Sequence, residues 1–65
     1  MSDELDNLLR LDDVKRIVPM STSMLYKLMA AGKFPRPMKV GDMSRWSARE
    51  IAEWQRRKMM ERESN

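Results

Sequence analysis

The sequence predicts a mainly α domain with a small β-hairpin, three helices plus a two-stranded wing, on three observations. Two short amphipathic stretches stand on either side of Pro19, a segment with Gly41-Asp42 at its centre follows them, and a capping box opens a third helical stretch at Ser47. At 65 residues the chain has room for one domain with one small core, and such a core typically leaves about 3–5 kcal/mol of net stability. An enclosed ligand cavity is not expected at this size.

The first helix is read from Leu11, Val14, Ile17 and Val18, which fall at helical spacing, with Asp12 and Asp13 in the first turn where carboxylates favour the helix dipole. Pro19 lacks a donor and pushes Val18 toward extended geometry, so this helix should stop at about Ile17, with a tight turn over Val18 to Met20. Ser21 is the natural N-cap of a second helix over Thr22 to Ala31, in which Leu25, Leu28 and Met29 form one apolar stripe. Gly32 sits where a helix enters the left-handed region, and Pro35 and Pro37 prevent resumption. Two short helices joined by about three residues form a helix-turn-helix.

Pro37 to Trp46 reads as the hairpin. A two-residue loop pairs Val40 with Met43 and Met38 with Arg45, which puts Trp46 on the face opposite Val40 and Met38. A three-residue loop, Gly41 to Met43, pairs Met38 with Trp46, Val40 with Ser44 and Lys39 with Arg45, and keeps the tryptophan with the other apolar residues. The second register is preferred on that ground, although such a loop usually wants glycine at its last position, where Met43 stands. Ser47-Ala48-Arg49-Glu50 is a capping box, Trp46 before it can staple onto Ile51, and the third helix should run to about Met60 with Ile51, Trp54 and the stem of Lys58 on one stripe. The division expected is a disordered acidic tail over 1–8, a winged helix-turn-helix over 9–60 and a frayed end over 61–65.

The formal net charge is +3, but its distribution is uneven: residues 1–13 hold five acids and one base, residues 14–49 hold eight bases and the single acid Asp42, and residues 50–65 cancel at four of each. A basic centre between acidic and neutral ends fits a phosphate-facing surface. There is no histidine and no cysteine, so thiol redox chemistry, a histidine-based triad and the commonest zinc sites are out of reach. No paired constellation of catalytic groups stands in a pocket-forming context, and no enzyme activity, cofactor, metal or small-molecule substrate is expected. With no run of 18 apolar residues and no basic leader before an apolar stretch, a cytoplasmic location without membrane contact is expected.

In a helix-turn-helix the second helix enters the major groove of DNA. With Leu25, Leu28 and Met29 turned inward, Thr22, Ser23, Tyr26 and Lys27 occupy the open face, Ser21 caps it and Lys33 lies just beyond. Arg36, Lys39 and Arg45 would make a basic wing, and like charges at Lys39 and Arg45 facing across strands would be relieved by a phosphate between them. Arg56, Arg57 and Lys58 complement the dipole at the end of the third helix. Met20, Met24, Met29 and Met38 are expected as adaptable core filler, whereas Met59 and Met60 lie beyond the reach of three short elements, as a partner patch or an exposed end.

Leu11-x-x-Val14, Ser21-Thr22-Ser23-Met24-Leu25-Tyr26-Lys27-Leu28, Gly32-Lys33-Phe34-Pro35-Arg36-Pro37 and Trp46-x-x-x-Glu50-Ile51-x-x-Trp54 together resemble the AlpA family of phage and mobile-element regulators, over about residues 9 to 58. The resemblance implies an excisionase-like winged helix-turn-helix related to MerR-type DNA-binding domains. It implies a transcriptional regulator of integrase or prophage genes, an excisionase (recombination directionality factor), or both, with double-stranded DNA and an integrase as partners. Carried over, the family's serine-rich helix start falls on Ser21 to Ser23 and its aromatic–basic pair on Tyr26 and Lys27. Pro19 stands where the family usually has glycine, Met24 where it has threonine, and Asp42 where a basic wing residue is common. With no long dimerisation helix following, cooperative head-to-tail copies on direct or clustered repeats are expected. Transcription alone, or a protein-interaction role such as an antirepressor using Met59, Met60 and the acidic tail, are the alternatives.

Overall fold

The computed structural model describes residues 7–64, so residues 1–6 of the expected acidic tail and Asn65 lie outside the described residues. Six elements follow in order: β1 (Leu8–Leu9), α1 (Leu11–Ile17), α2 (Thr22–Ala30), β2 (Met38–Val40), β3 (Met43–Ser47) and α3 (Ala48–Ser64). The strands form one antiparallel sheet in the order β1-β3-β2, and with three helices around it the architecture is a winged helix-turn-helix.

Local chemistry explains most boundaries. The backbone N–H of Arg10 donates to Asp13 Oδ2 at 3.1 Å, and Arg16 donates to Asp13 Oδ1 at 2.6 Å, so one carboxylate ties the first turn of α1 to its last. That bond to the Arg10 backbone, and then the Arg16 guanidinium, hold the Asp13 carboxyl below its usual carboxylate range. Ser21 caps α2, its Oγ accepting from the Met24 N–H at 3.1 Å. At the other end Gly32 has φ +74°, its N–H donates to Met29 O at 3.0 Å and the Lys33 N–H donates to Leu28 O at 2.8 Å, which is a Schellman closure. Ser47 caps α3, its Oγ accepting from the Glu50 N–H at 3.1 Å. The helix continues to Ser64 rather than ending near Met60, with Lys58 and Glu61 paired at 3.3 Å in its later turns.

The hairpin departs from the preferred reading. Met38 pairs with Arg45, Lys39 with Ser44 and Val40 with Met43, so the loop is the two residues Gly41-Asp42. Gly41 has φ +66°, and among the described residues only Gly32 and Gly41 have positive φ, so Asp42 does not, the pattern of a type II′ turn with glycine at its first central position. Trp46 is therefore opposite in face to Met38 and Val40, and loses nothing by it. Its core partners come from elsewhere: Leu9 of β1 lies across from it, and Leu8 lies across from Ser47, so Leu8 is a paired strand residue rather than tail. The Ala48 N–H extends this pairing by donating to Asn7 O at 2.9 Å.

Val14, Leu25, Met29, Phe34, Trp46 and Ile51 form the buried core, with Leu9, Leu11, Val18, Met20, Leu28 and Trp54 packed around it. Each element except β2 contributes, and fully burying side chains such as Trp46, Leu25, Ile51 and Val14 stabilises by about 1.5–3 kcal/mol apiece. Of the four methionines expected as filler, Met29 is buried and Met20 partly so, whereas Met24 and Met38 are exposed, Met38 because the two-residue register turns it outward. No described helix is long and apolar enough to cross a membrane.

Candidate nucleic-acid interface

The open face of α2 is a consequence of its buried one. Leu25 and Met29 are buried and Leu28 is partly so, and helical spacing then presents Ser23, Tyr26 and Lys27 to solvent, all three exposed. Tyr26 keeps 49% of its surface accessible, large for an aromatic side chain in so small a domain. Ser21 is exposed, with its Oγ engaged by the cap. Thr22 is half-buried and its Oγ1 accepts from Lys15 Nζ at 2.9 Å. Lys15, on α1, thus brings its ammonium to the first residue of α2, a placement that the sequence reading missed because it depends on how the two helices pack.

Beyond α2 the chain runs as a link without helix or strand from Gly32 to Pro37, and two tryptophans hold it. Trp54 Nε1 donates to Lys33 O at 2.7 Å and Trp46 Nε1 donates to Pro35 O at 3.1 Å. Phe34, between them, is buried and meets Trp54 edge-on, with ring centroids 4.8 Å apart at 67°. The side chains of Lys33 and Arg36 are left exposed on a fixed backbone. Arg36 is carried against α2, where it shares a shallow groove with Tyr26. Two predicted site residues from different segments are thereby brought together.

The wing behaves differently. Lys39 is exposed and faces Ser44, and Arg45 faces Met38, so the like-charge pair expected across the strands does not form: the two cations lie on opposite faces of the ribbon. Arg45 is half-buried, with its guanidinium donating to Ser44 O at 2.8 Å and lying 3.2 Å from Met43 Sδ. It shares its face with Met38, Val40 and Met43, all of them exposed. Asp42 stands at the tip.

Across the link from α2 lies a larger groove between the link and α3, in which Glu50, Glu53 and Glu61 alternate with cations including Arg57 and Lys58. The Lys58 ammonium sits 5.8 Å from the centre of the Trp54 ring. Among the described residues no group of three or more acidic side chains is placed to hold a metal ion. Of the eight basic residues of the centre of the chain, Arg49 falls on α3 and the others on α1, α2, the link and the wing, while the carboxylates of α3 share the larger groove with Lys33 and Arg36 of the link.

The family described as prophage CP4-57 regulatory protein (AlpA) matches residues 7–59, well over half of the chain. The chain belongs to the AlpA family. The match begins at Asn7, the residue whose carbonyl starts the β1 pairing, and ends at Met59, so the AlpA unit takes in every element of the core. No curated protein matches the chain significantly. AlpA membership makes this a prophage regulatory protein by family.

Proposed function

We propose that this AlpA protein is a sequence-specific double-stranded DNA-binding protein of a phage or mobile element, acting on DNA as a regulator of transcription, as an excisionase, or as both, and without catalysis. The observation that carries this reading is the outward stripe of α2: Ser23, Tyr26 and Lys27 are free of the core, and Arg36 on the pinned link stands beside them. In the major groove, hydroxyl, phenol, amine and guanidinium groups at that spacing reach base edges and phosphates. Ser21, Thr22 and Lys33 at the two ends of the helix, with Lys15, would take backbone phosphates, and Lys39 and Arg45 on the wing would reach the adjacent backbone from two sides of the ribbon.

In this reading several copies bind head-to-tail on direct or clustered repeats in the cytoplasm, on the nucleoid, and bend the site for an integrase. The family's description as regulatory favours transcription as one output. A salt titration of binding to the duplex flanking the protein's own gene tests the DNA reading. With about four to six phosphate contacts, the log–log slope is expected at about −4 to −5. No retention at low salt, with no effect of Lys27→Ala or Arg45→Ala, would leave a protein-interaction role through Met59 and Met60. An excision assay with purified integrase beside a promoter-reporter assay separates the two outputs.

A further inference from the structure

The groove between α2 and the link is open, about 330 Å³, and walled by Tyr26, Met29, Ala30, Arg36 and Pro37. Its walls are mostly hydrocarbon, and its polar groups, the Tyr26 phenol and the Arg36 guanidinium, belong to exposed residues. It also lies on the outward stripe of α2, since Ala30 follows Tyr26 by four residues and both are exposed. Charge separates it from the larger groove on the other side of the link. That one interleaves three carboxylates with its cations, whereas among the described residues no acidic one lines this groove. An apolar floor with a cationic edge and no acid suits a polyanion that offers a small apolar group at its surface. In the major groove of DNA that group is the 5-methyl of thymine, which no other base presents.

Resting on the DNA-binding reading above, we propose that this groove reads the 5-methyl group of one thymine, with Ala30 and the edge of Tyr26 against the methyl and Arg36 turned toward the phosphates. Ala30 is then a specificity-determining residue. Its small side chain leaves the space that the methyl fills.

The test uses a duplex selected by the full chain from a random pool, in which each thymine is replaced in turn by deoxyuridine. That change removes the methyl and leaves base pairing and the minor groove unaltered. One position is expected to bind about fourfold more weakly, the worth of burying a single methyl-sized group. Ala30→Gln, on an exposed helical position, reaches into the groove, and it is expected to bind the thymine and uracil duplexes equally at that position, with its fold checked by a thermal melt against the unaltered protein. Uniform tolerance of uracil at every thymine, or discrimination that survives in Ala30→Gln, overturns the proposal and leaves DNA binding standing. Failure to retain any duplex at low salt overturns both.

Discussion

The link from Gly32 to Pro37 and the ribbon from Met38 to Arg45 are consecutive in the chain and both carry exposed or half-exposed cations, yet they are held in opposite ways. The link has Phe34 in the core and two carbonyls bonded by indole N–H groups. In the ribbon every residue of β2 is exposed, and it is held by its pairing with β3. A side chain on the link is therefore presented at a set place beside α2, and one on the ribbon rides on a two-stranded projection of marginal independent stability. Sequence discrimination is expected from the first, where geometry is fixed before binding, and sequence-independent affinity from the second, which can adjust to a backbone.

Removing an anchor of the link should have the largest effect. Trp46→Ala takes a fully buried ring from the core and its donor from Pro35 O, and should cost about 3–5 kcal/mol, enough to unfold a domain of this size in a denaturant titration. Identical backbone changes in the two regions sharpen the contrast further. Gly32 and Gly41 both have positive φ and open space where a Cβ would stand, so alanine at either is penalised by the backbone alone, about 1–2 kcal/mol. Gly32→Ala should lower global stability by that amount, because it strains the exit of α2 into the core. Gly41→Ala should lower it less and instead raise hydrogen exchange confined to β2 and the end of β3, since the ribbon can open without the core.

A smaller change is expected from Trp54→Phe, which keeps an aromatic ring against Phe34 and deletes the bond to Lys33 O. Its cost should be about 0.5–1.5 kcal/mol, with exchange rising along the link and discrimination between DNA sequences falling more than affinity for unrelated DNA. The smallest effect belongs to Asp13. Its lowered folded pKa means that its contribution is complete above the unfolded carboxylate range and is lost as pH falls through the lowered value. Asp13→Asn should flatten that part of the acid limb of the stability curve, as read by thermal melts from neutral to acid pH.

The two regions also differ in how far they were legible in the sequence. The ends of α1 and α2 and the start of α3 were readable because each is set by residues within four positions: Pro19, the Ser21 cap, the Gly32 closure and the Ser47 cap. Gly41 carried the equivalent local signal for a two-residue turn. The competing signal, an apolar face shared by Trp46, Met38 and Val40, misleads because Trp46 packs with Leu9 and the helices rather than with residues of β2. A two-residue strand such as Leu8–Leu9 has no periodicity to detect. Tyr26 and Lys27 are legible as exposed groups from helical spacing and Arg36 only as a basic residue of the wing, but the meeting of Tyr26 with Arg36 at one groove, the approach of Lys15 to Thr22 and the indole bonds to the link are tertiary facts with no short-range trace.

The most direct measurement compares Tyr26→Ala with Arg45→Ala on a selected duplex and on a scrambled one across a range of salt. Tyr26→Ala should weaken binding to the selected duplex alone, and Arg45→Ala should weaken both equally and make the salt slope shallower by about one. Equal losses on both duplexes for Tyr26→Ala, or no loss for either variant, would contradict a reading face on α2 and a steadying wing.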